Sequence, residues 1–96
     1  MPDYNALEYF FSAYFHQDWQ SEHPDSDAVV DTFRRGESEQ QVRDVRDELR
    51  QLLDTGLDED ELKALLHGRL QSAWAPAPGG PGYRAWLQGL RARFEA

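Results

Sequence analysis

Imidazole and carboxylate side chains recur between residues 16 and 27 at a spacing that could hold a metal ion. His16, Asp18, His23, Asp25 and Asp27 supply the nitrogen and oxygen donors that bind divalent transition metals. The same residues are also typical of a polar loop leading into a helix whose first N–H groups are capped by side-chain oxygens. Since this second interpretation accounts for all five without a ligand, we predict no metal and no other cofactor.

Four consecutive carboxylates, Asp58, Glu59, Asp60 and Glu61, form the other cluster that could do chemistry. They lack the alternating donors and central glycine of an EF-hand calcium loop, and they lie where a helix is predicted to begin, which favours negative charge. Catalytic carboxylates need a pocket that drives their pKa values apart, and a chain of 96 residues is short for enclosing one. No nucleophile-elbow, zinc-protease or phosphate-loop motif is present. We predict that the chain is not an enzyme; a metal-dependent enzyme is the third alternative.

The distribution of acidic residues points instead to a basic partner protein. Residues 1–33 contain seven acids and neither Lys nor Arg, residues 54–62 add five acids without a base, and the whole chain has a net charge of −8. Negative charge is unsuited to the phosphates of nucleic acids and of anionic membranes, so neither is a predicted partner. A positively charged protein is attracted, and salt weakens that attraction.

Two groups of residues are therefore predicted to contact such a partner. The first surrounds a polar loop and the start of the following helix, and Trp19 belongs to it because tryptophan often anchors protein interfaces. The second is the cluster of four carboxylates described above. Together the candidate residues are Asp18, Trp19, Glu22, Asp25, Asp27, Asp31, Asp58, Glu59, Asp60 and Glu61.

Apolar residues at helical spacing predict one all-α domain, residues 1–96, of about five helices. Pro2 and Asp3 suit the first turn of the first helix, and the polar segment from His16 to Pro24 is predicted to be a loop pinned by Trp19. In chain order, the predicted helices cover roughly residues 4–16, 27–36, 38–54, 58–68 and 83–94, and a Pro- and Gly-rich loop occupies residues 69–82.

Two short motifs resemble the immunity proteins of bacterial contact-dependent growth inhibition systems, the CdiI-type family. Tyr14-Phe15-His16-Gln17-Asp18-Trp19 (YFHQDW) ends the aromatic first helix, and Tyr83-Arg84-Ala85-Trp86-Leu87 (YRAWL) opens the last one. The short helix, the charged helix, the acidic segment and the Pro/Gly loop between the motifs follow the order of that family. The resemblance thus covers nearly the whole chain.

This resemblance implies a small cytoplasmic protein that binds the C-terminal toxin domain delivered by a neighbouring cell and blocks it. The absence of cysteine and of an apolar leader agrees with that location. Many such toxins are nucleases with basic clefts, in which an acidic inhibitor can place carboxylates where phosphates lie. We therefore predict an immunity protein that neutralises a basic nuclease domain through an acidic surface. A non-enzymatic helical adaptor whose acids only keep it soluble is the alternative, and the oligomeric state is open.

Overall fold

The computed structural model describes residues 3–95, and every regular element in that range is helical. In chain order the helices are α1 (Asn5–Tyr14), α2 (Trp19–Glu22), α3 (Ser26–Gly36), α4 (Glu39–Asp54), α5 (Glu59–Ala64) and α6 (Tyr83–Glu95), and a π-helical turn, Leu65–Arg69, extends α5. The all-α class is thus confirmed, with the five predicted helices and the short α2 in addition. Pro2 lies outside the described residues. No helix between residues 3 and 95 is both long and apolar enough to span a bilayer.

The additional helix α2 forms where a loop was predicted, because its first residue is drawn into the core. Trp19 is 8% exposed, and its ring centroid lies 5.2 Å from that of Phe15. The carbonyl of Asp18 accepts hydrogen bonds from the N–H (3.0 Å) and the hydroxyl (2.7 Å) of Ser21, which closes the turn. A helix of four residues has too few positions to show a periodic apolar pattern.

An aromatic cluster joins α1, α3 and α6. Phe10 of α1 is fully buried, and its ring centroid lies 4.8 Å from that of Phe33 in α3 and 5.4 Å from that of Phe94 in α6. These rings meet edge to face, an arrangement that adds to the energy of burying aromatic surface. Helix α4 packs against α1 and α6 and contributes the fully buried Leu49 and Leu52.

Side-chain oxygens cap three helices from the position just before each begins. Asp25 before α3 and Ser38 before α4 each accept a hydrogen bond from the N–H three residues further along, at 2.8 Å and 3.2 Å. Asp58 and Glu61 form a reciprocal capping box at the start of α5. The caps before α3 and α5 agree with the helix starts predicted from the sequence, and at α4 the Ser38 side chain alone caps, without a reciprocal bond from Gln41.

At the N-termini of α1 and α6, the backbone N–H groups donate to carboxylates from helices that are distant in sequence. Glu48 of α4 accepts a hydrogen bond from the first turn of α1 at 2.9 Å. Glu59 of α5 accepts hydrogen bonds from the N–H groups of Tyr83 (2.6 Å) and Arg84 (3.0 Å) in α6, where the helix dipole favours negative charge. Gly82 lies so close to this carboxylate that a side chain there would collide with it. Glu59 therefore docks α6 onto α5.

Replacing Glu59 with alanine should lower the free energy of unfolding by about 1–2 kcal/mol, because the first N–H groups of α6 lose their acceptor. Urea denaturation followed by circular dichroism measures the loss. Asp60→Ala is the matched control, since this neighbouring carboxylate accepts no hydrogen bond among residues 3–95. Equal stability of the two variants would contradict the docking role of Glu59.

Candidate interaction surface

The first acidic group surrounds the turn between α1 and α2, and His16 organises it. The Nδ1 atom of His16 accepts a hydrogen bond from the N–H of Asp18 (3.1 Å), and its Nε2 lies 2.7 Å from Glu22 Oε1. Because Nδ1 accepts, the proton of the neutral imidazole is on Nε2, which donates to Glu22. Glu22 is thus engaged within the turn. The carboxylate of Asp18 is exposed and accepts no hydrogen bond in the part of the chain that the structure describes.

Trp19 contributes little surface to this group, because it is a core residue. It lines a groove of about 400 Å³, whose other walls include Trp74 and the Pro- and Ala-rich segment up to Pro81. Trp74 stacks on Trp86 of α6, with ring centroids 4.1 Å apart and planes inclined by 3°. The indoles therefore hold the long loop against the helical body.

The three acids around the start of α3 differ in how far they are engaged. Asp25 caps the helix, and Asp31 accepts two hydrogen bonds from Arg93 of α6, at 2.9 Å and 2.5 Å. The hydrogen bond from the Arg93 guanidinium holds the pKa of Asp31 below its usual value. Asp27 is exposed, and no side chain among residues 3–95 donates to it. Of these three acids, Asp27 is the one that presents an uncommitted carboxylate.

Most residues of the second acidic group cap the N-termini of helices. Asp58 and Glu61 form the capping box of α5, and Glu59 binds the start of α6. The exposed Asp60 accepts no hydrogen bond within the described range. Both acidic groups thus combine uncommitted carboxylates with others that stabilise the fold.

Asp31 of the first acidic group and Glu59 of the second bind α6 at different points. Glu59 binds the helix at Tyr83 and Arg84, whereas Asp31 binds it at Arg93. Because an α-helix rises 1.5 Å per residue, these points are about 15 Å apart along the axis. The start of α3, which carries Asp25 and Asp27, lies nearer the beginning of α6, where Trp86 donates to Ser26 Oγ at 2.9 Å, so the distance between Asp31 and Glu59 does not separate the two groups as a whole.

The arginines of the C-terminal third are engaged within the molecule. Arg69 and Arg91 form ion pairs with glutamates at 2.8 Å and 3.2 Å, and Arg93 binds Asp31. Arg84 donates to two backbone carbonyls at the end of α4 and just after it, at 3.1 Å and 2.7 Å. Three of the four arginines of this segment are therefore paired with carboxylates, whereas Arg84 keeps an uncompensated charge.

Two of the five residues whose spacing suggested a metal site have structural roles. His16 organises its turn and Asp25 caps α3. Among residues 3–95, no group of three or more His, Asp or Glu side chains is placed to hold a metal ion.

A groove between α3 and α4 was not predicted from the sequence. It encloses about 330 Å³ and is lined by Arg34, Glu37, Glu39, Val42, Arg43 and Arg46. The α4 members recur at helical spacing, so the sequence contained a signal: a second stripe on α4 beside the buried one. The net charge of this segment does not reveal these arginines, because acids of the same segment balance them.

Glu37, at the edge of this groove, accepts hydrogen bonds from two phenols. Its Oε2 lies 2.8 Å from the hydroxyl of Tyr14 and 3.0 Å from that of Tyr9. Burial, followed by the hydrogen bond to the Glu37 carboxylate, raises the pKa of Tyr14 to about 12. Ionised Tyr14 would place a second negative charge beside Glu37, so the fold favours the protonated phenol.

Stability should therefore fall as the pH rises above 10. Tyrosines of the unfolded chain ionise with a pKa near 10.0, whereas Tyr14 in the folded protein has a pKa of about 12. Its contribution is complete below pH ~10 and is lost as the pH rises toward ~12. Tyr14→Phe should flatten this dependence, measured as the urea midpoint at successive pH values. An unchanged slope in the variant would contradict the role of Tyr14.

The sequence and the fold were compared with known proteins. Residues 3–94 match the model of a protein family described as CdiI immunity protein. No curated protein matches the sequence. The fold is similar to that of a chain in the crystal structure of a CdiA-CT/CdiI complex from Y. kristensenii 33638, with a TM-score of 0.85 and 22% sequence identity over 97% of this chain and 99% of that chain. At this identity the likeness concerns the fold alone.

Proposed function

The chain belongs to the CdiI immunity protein family, and we propose that it binds and neutralises the C-terminal toxin domain of a contact-dependent growth inhibition system. The observation that carries this proposal is the match of the family model to residues 3–94, a range that includes both YFHQDW and YRAWL. The similar fold of a chain in a CdiA-CT/CdiI complex supports it.

The toxin domain that fits this chain is a nuclease with a basic cleft, which an acidic surface covers. Support comes from the net charge of −8 and from carboxylates without an internal role. Asp18 and Asp27, on either side of α2, form the leading contact surface, and Asp60 belongs to a second one. Carboxylates that cap helices add to the negative field, which speeds encounter with a positive protein.

Binding alone is sufficient for this function. An inhibitor seated over a nuclease cleft excludes the nucleic acid, so the chain needs no catalytic group and no cofactor of its own. The substrates of such a toxin lie inside the cell, so the proposed place of action is the cytoplasm.

The test is capture of the toxin domain encoded beside this chain, measured across a salt series. We expect a complex that weakens as salt rises, and we expect the chain to stop degradation of nucleic acid by the toxin. No capture at any salt concentration would contradict the immunity function, and capture without salt dependence would contradict the acidic surface. A toxin domain that degrades neither RNA nor DNA would contradict the nuclease assignment. An adaptor would bind other proteins and leave this toxin active.

A further inference from the structure

The groove between α3 and α4 gathers positive charge on an otherwise acidic protein. Arg34 of α3 and Arg43 and Arg46 of α4 line it, and among residues 3–95 none of these three arginines forms an ion pair with a carboxylate. The arginines of the C-terminal third, in contrast, all have internal partners. The guanidinium groups of the groove are therefore available to a ligand.

The acids of the groove cancel only part of this charge. Glu37 is held by two tyrosine hydroxyls, and Glu39 lies in the first turn of α4. Three guanidinium groups thus face two carboxylates. Arg43 makes one long hydrogen bond, of 3.3 Å, to Gln40, and Arg34 donates one nitrogen to a backbone carbonyl at 2.9 Å. Each arginine has five N–H donors, so most of them remain free.

Arg46 carries an N–H group that has no hydrogen-bond acceptor within the described chain. Its Nε is buried and makes no hydrogen bond within the described chain. A buried N–H without an acceptor is unfavourable, which is why such groups are uncommon in folded proteins. The Nε and one Nη of a guanidinium together match the two oxygens of a carboxylate. Arg46 lines the groove, so an oxygen ligand there can accept from its Nη groups, and reaching the buried Nε requires a shift of the side chain.

We infer that the groove binds an aspartate or glutamate side chain of the toxin domain, an inference that rests on the proposed function. Charge complementarity selects the carboxylate. Tyr9, which is 42% exposed and whose hydroxyl binds Glu37 of the groove, adds an aromatic contact beside it. Tyrosine and arginine are the residues that most often dominate binding energy at protein interfaces. A toxin that is positive opposite Asp18 and Asp27 and negative opposite this groove fits in one orientation, which favours the cognate partner over others.

Calorimetric titration of the toxin domain encoded beside this chain tests the inference. The double variant Arg43→Gln/Arg46→Met should bind about 30-fold more weakly than the parent chain, the effect of losing an interface hot spot. The matched control is Arg50→Gln/Arg91→Gln. It removes the same number of positive charges from α4 and α6 but lies outside the groove, and it should bind within about twofold of the parent.

Three outcomes would overturn the inference, and they differ in what else they affect. If the groove variant binds as tightly as the parent, the groove is not a contact and the proposed function is untouched. If the parent itself does not bind, the proposed function fails as well. If the groove variant binds weakly but no Asp or Glu substitution in the toxin reproduces the loss, the occupant is not a carboxylate. If loss of Arg46 impairs folding, the single variant Arg43→Gln replaces the double variant, because Arg43 is exposed and its replacement does not disturb the core.

Discussion

Replacing Phe10 with alanine is expected to lower the free energy of unfolding by about 3–5 kcal/mol, a large part of the ~5–15 kcal/mol that stabilises a typical domain. Phe10 is fully buried at the point where α1, α3 and α6 meet. Truncation removes its contacts and leaves a cavity that close-packed neighbours cannot fill without distortion. Its ring centroid lies within 5.5 Å of those of Phe11, Phe15, Phe33 and Phe94.

Urea denaturation of the purified variant measures this loss, and Tyr9→Ala provides the control. Tyr9 is the neighbouring aromatic residue on α1 and is 42% exposed, so its truncation should cost about 1 kcal/mol, mainly the packing and the hydrogen bond to Glu37. Similar losses for both variants would show that the aromatic cluster is not the centre of the core.

The long helices could be predicted because their signals lie within a few residues along the sequence. Apolar residues recur at helical spacing in α1, α4 and α6, and Asp25, Ser38 and Asp58 provide caps that depend only on residues three positions away. Helix α2 could not be predicted in this way. It consists of four residues and depends on the burial of Trp19 against Phe15, a tertiary contact.

The roles of the candidate site residues were harder to predict, because their partners are distant in sequence. Asp31 binds Arg93, which is 62 positions away, and Glu59 binds the N–H of Tyr83, 24 positions away. Nothing in the sequence near either acid indicates these contacts. The count of acids gives the net charge of −8, but only the folded chain separates carboxylates that hold the structure together from those that remain free.

The two motifs that resemble the family act mainly within the fold. In YFHQDW, His16 bridges Asp18 and Glu22, and Trp19 is buried. In YRAWL, Arg84 binds the carbonyls at the end of α4, and Trp86 donates to Ser26 Oγ at 2.9 Å. These motifs therefore act in the architecture, and we propose that recognition of a particular toxin falls to exposed residues outside such contacts.

Reversing the charge of the two uncommitted acids around α2, as Asp18→Lys/Asp27→Lys, is expected to slow association with the toxin domain between about 10- and 100-fold at low salt. Both carboxylates are exposed and accept no hydrogen bond from another side chain among residues 3–95, so their replacement breaks no such contact, and circular dichroism of the variant checks that it is folded. Stopped-flow or surface-plasmon measurements give the association rate. The difference from the parent chain should shrink as salt rises, because screening weakens the field of both proteins.

The control for this experiment must carry the same net charge at a different place. Asp47→Lys/Asp54→Lys meets that condition, since both residues are exposed on α4 and lie outside the two acidic groups. Because both double variants reduce the overall negative charge equally, any effect they share reports net charge alone. A slower rate confined to Asp18→Lys/Asp27→Lys assigns recognition to the surface around α2. Equal rates for the two variants would show that the toxin senses only the overall charge of the chain, and the carboxylates around α2 would then have no special part in inhibition.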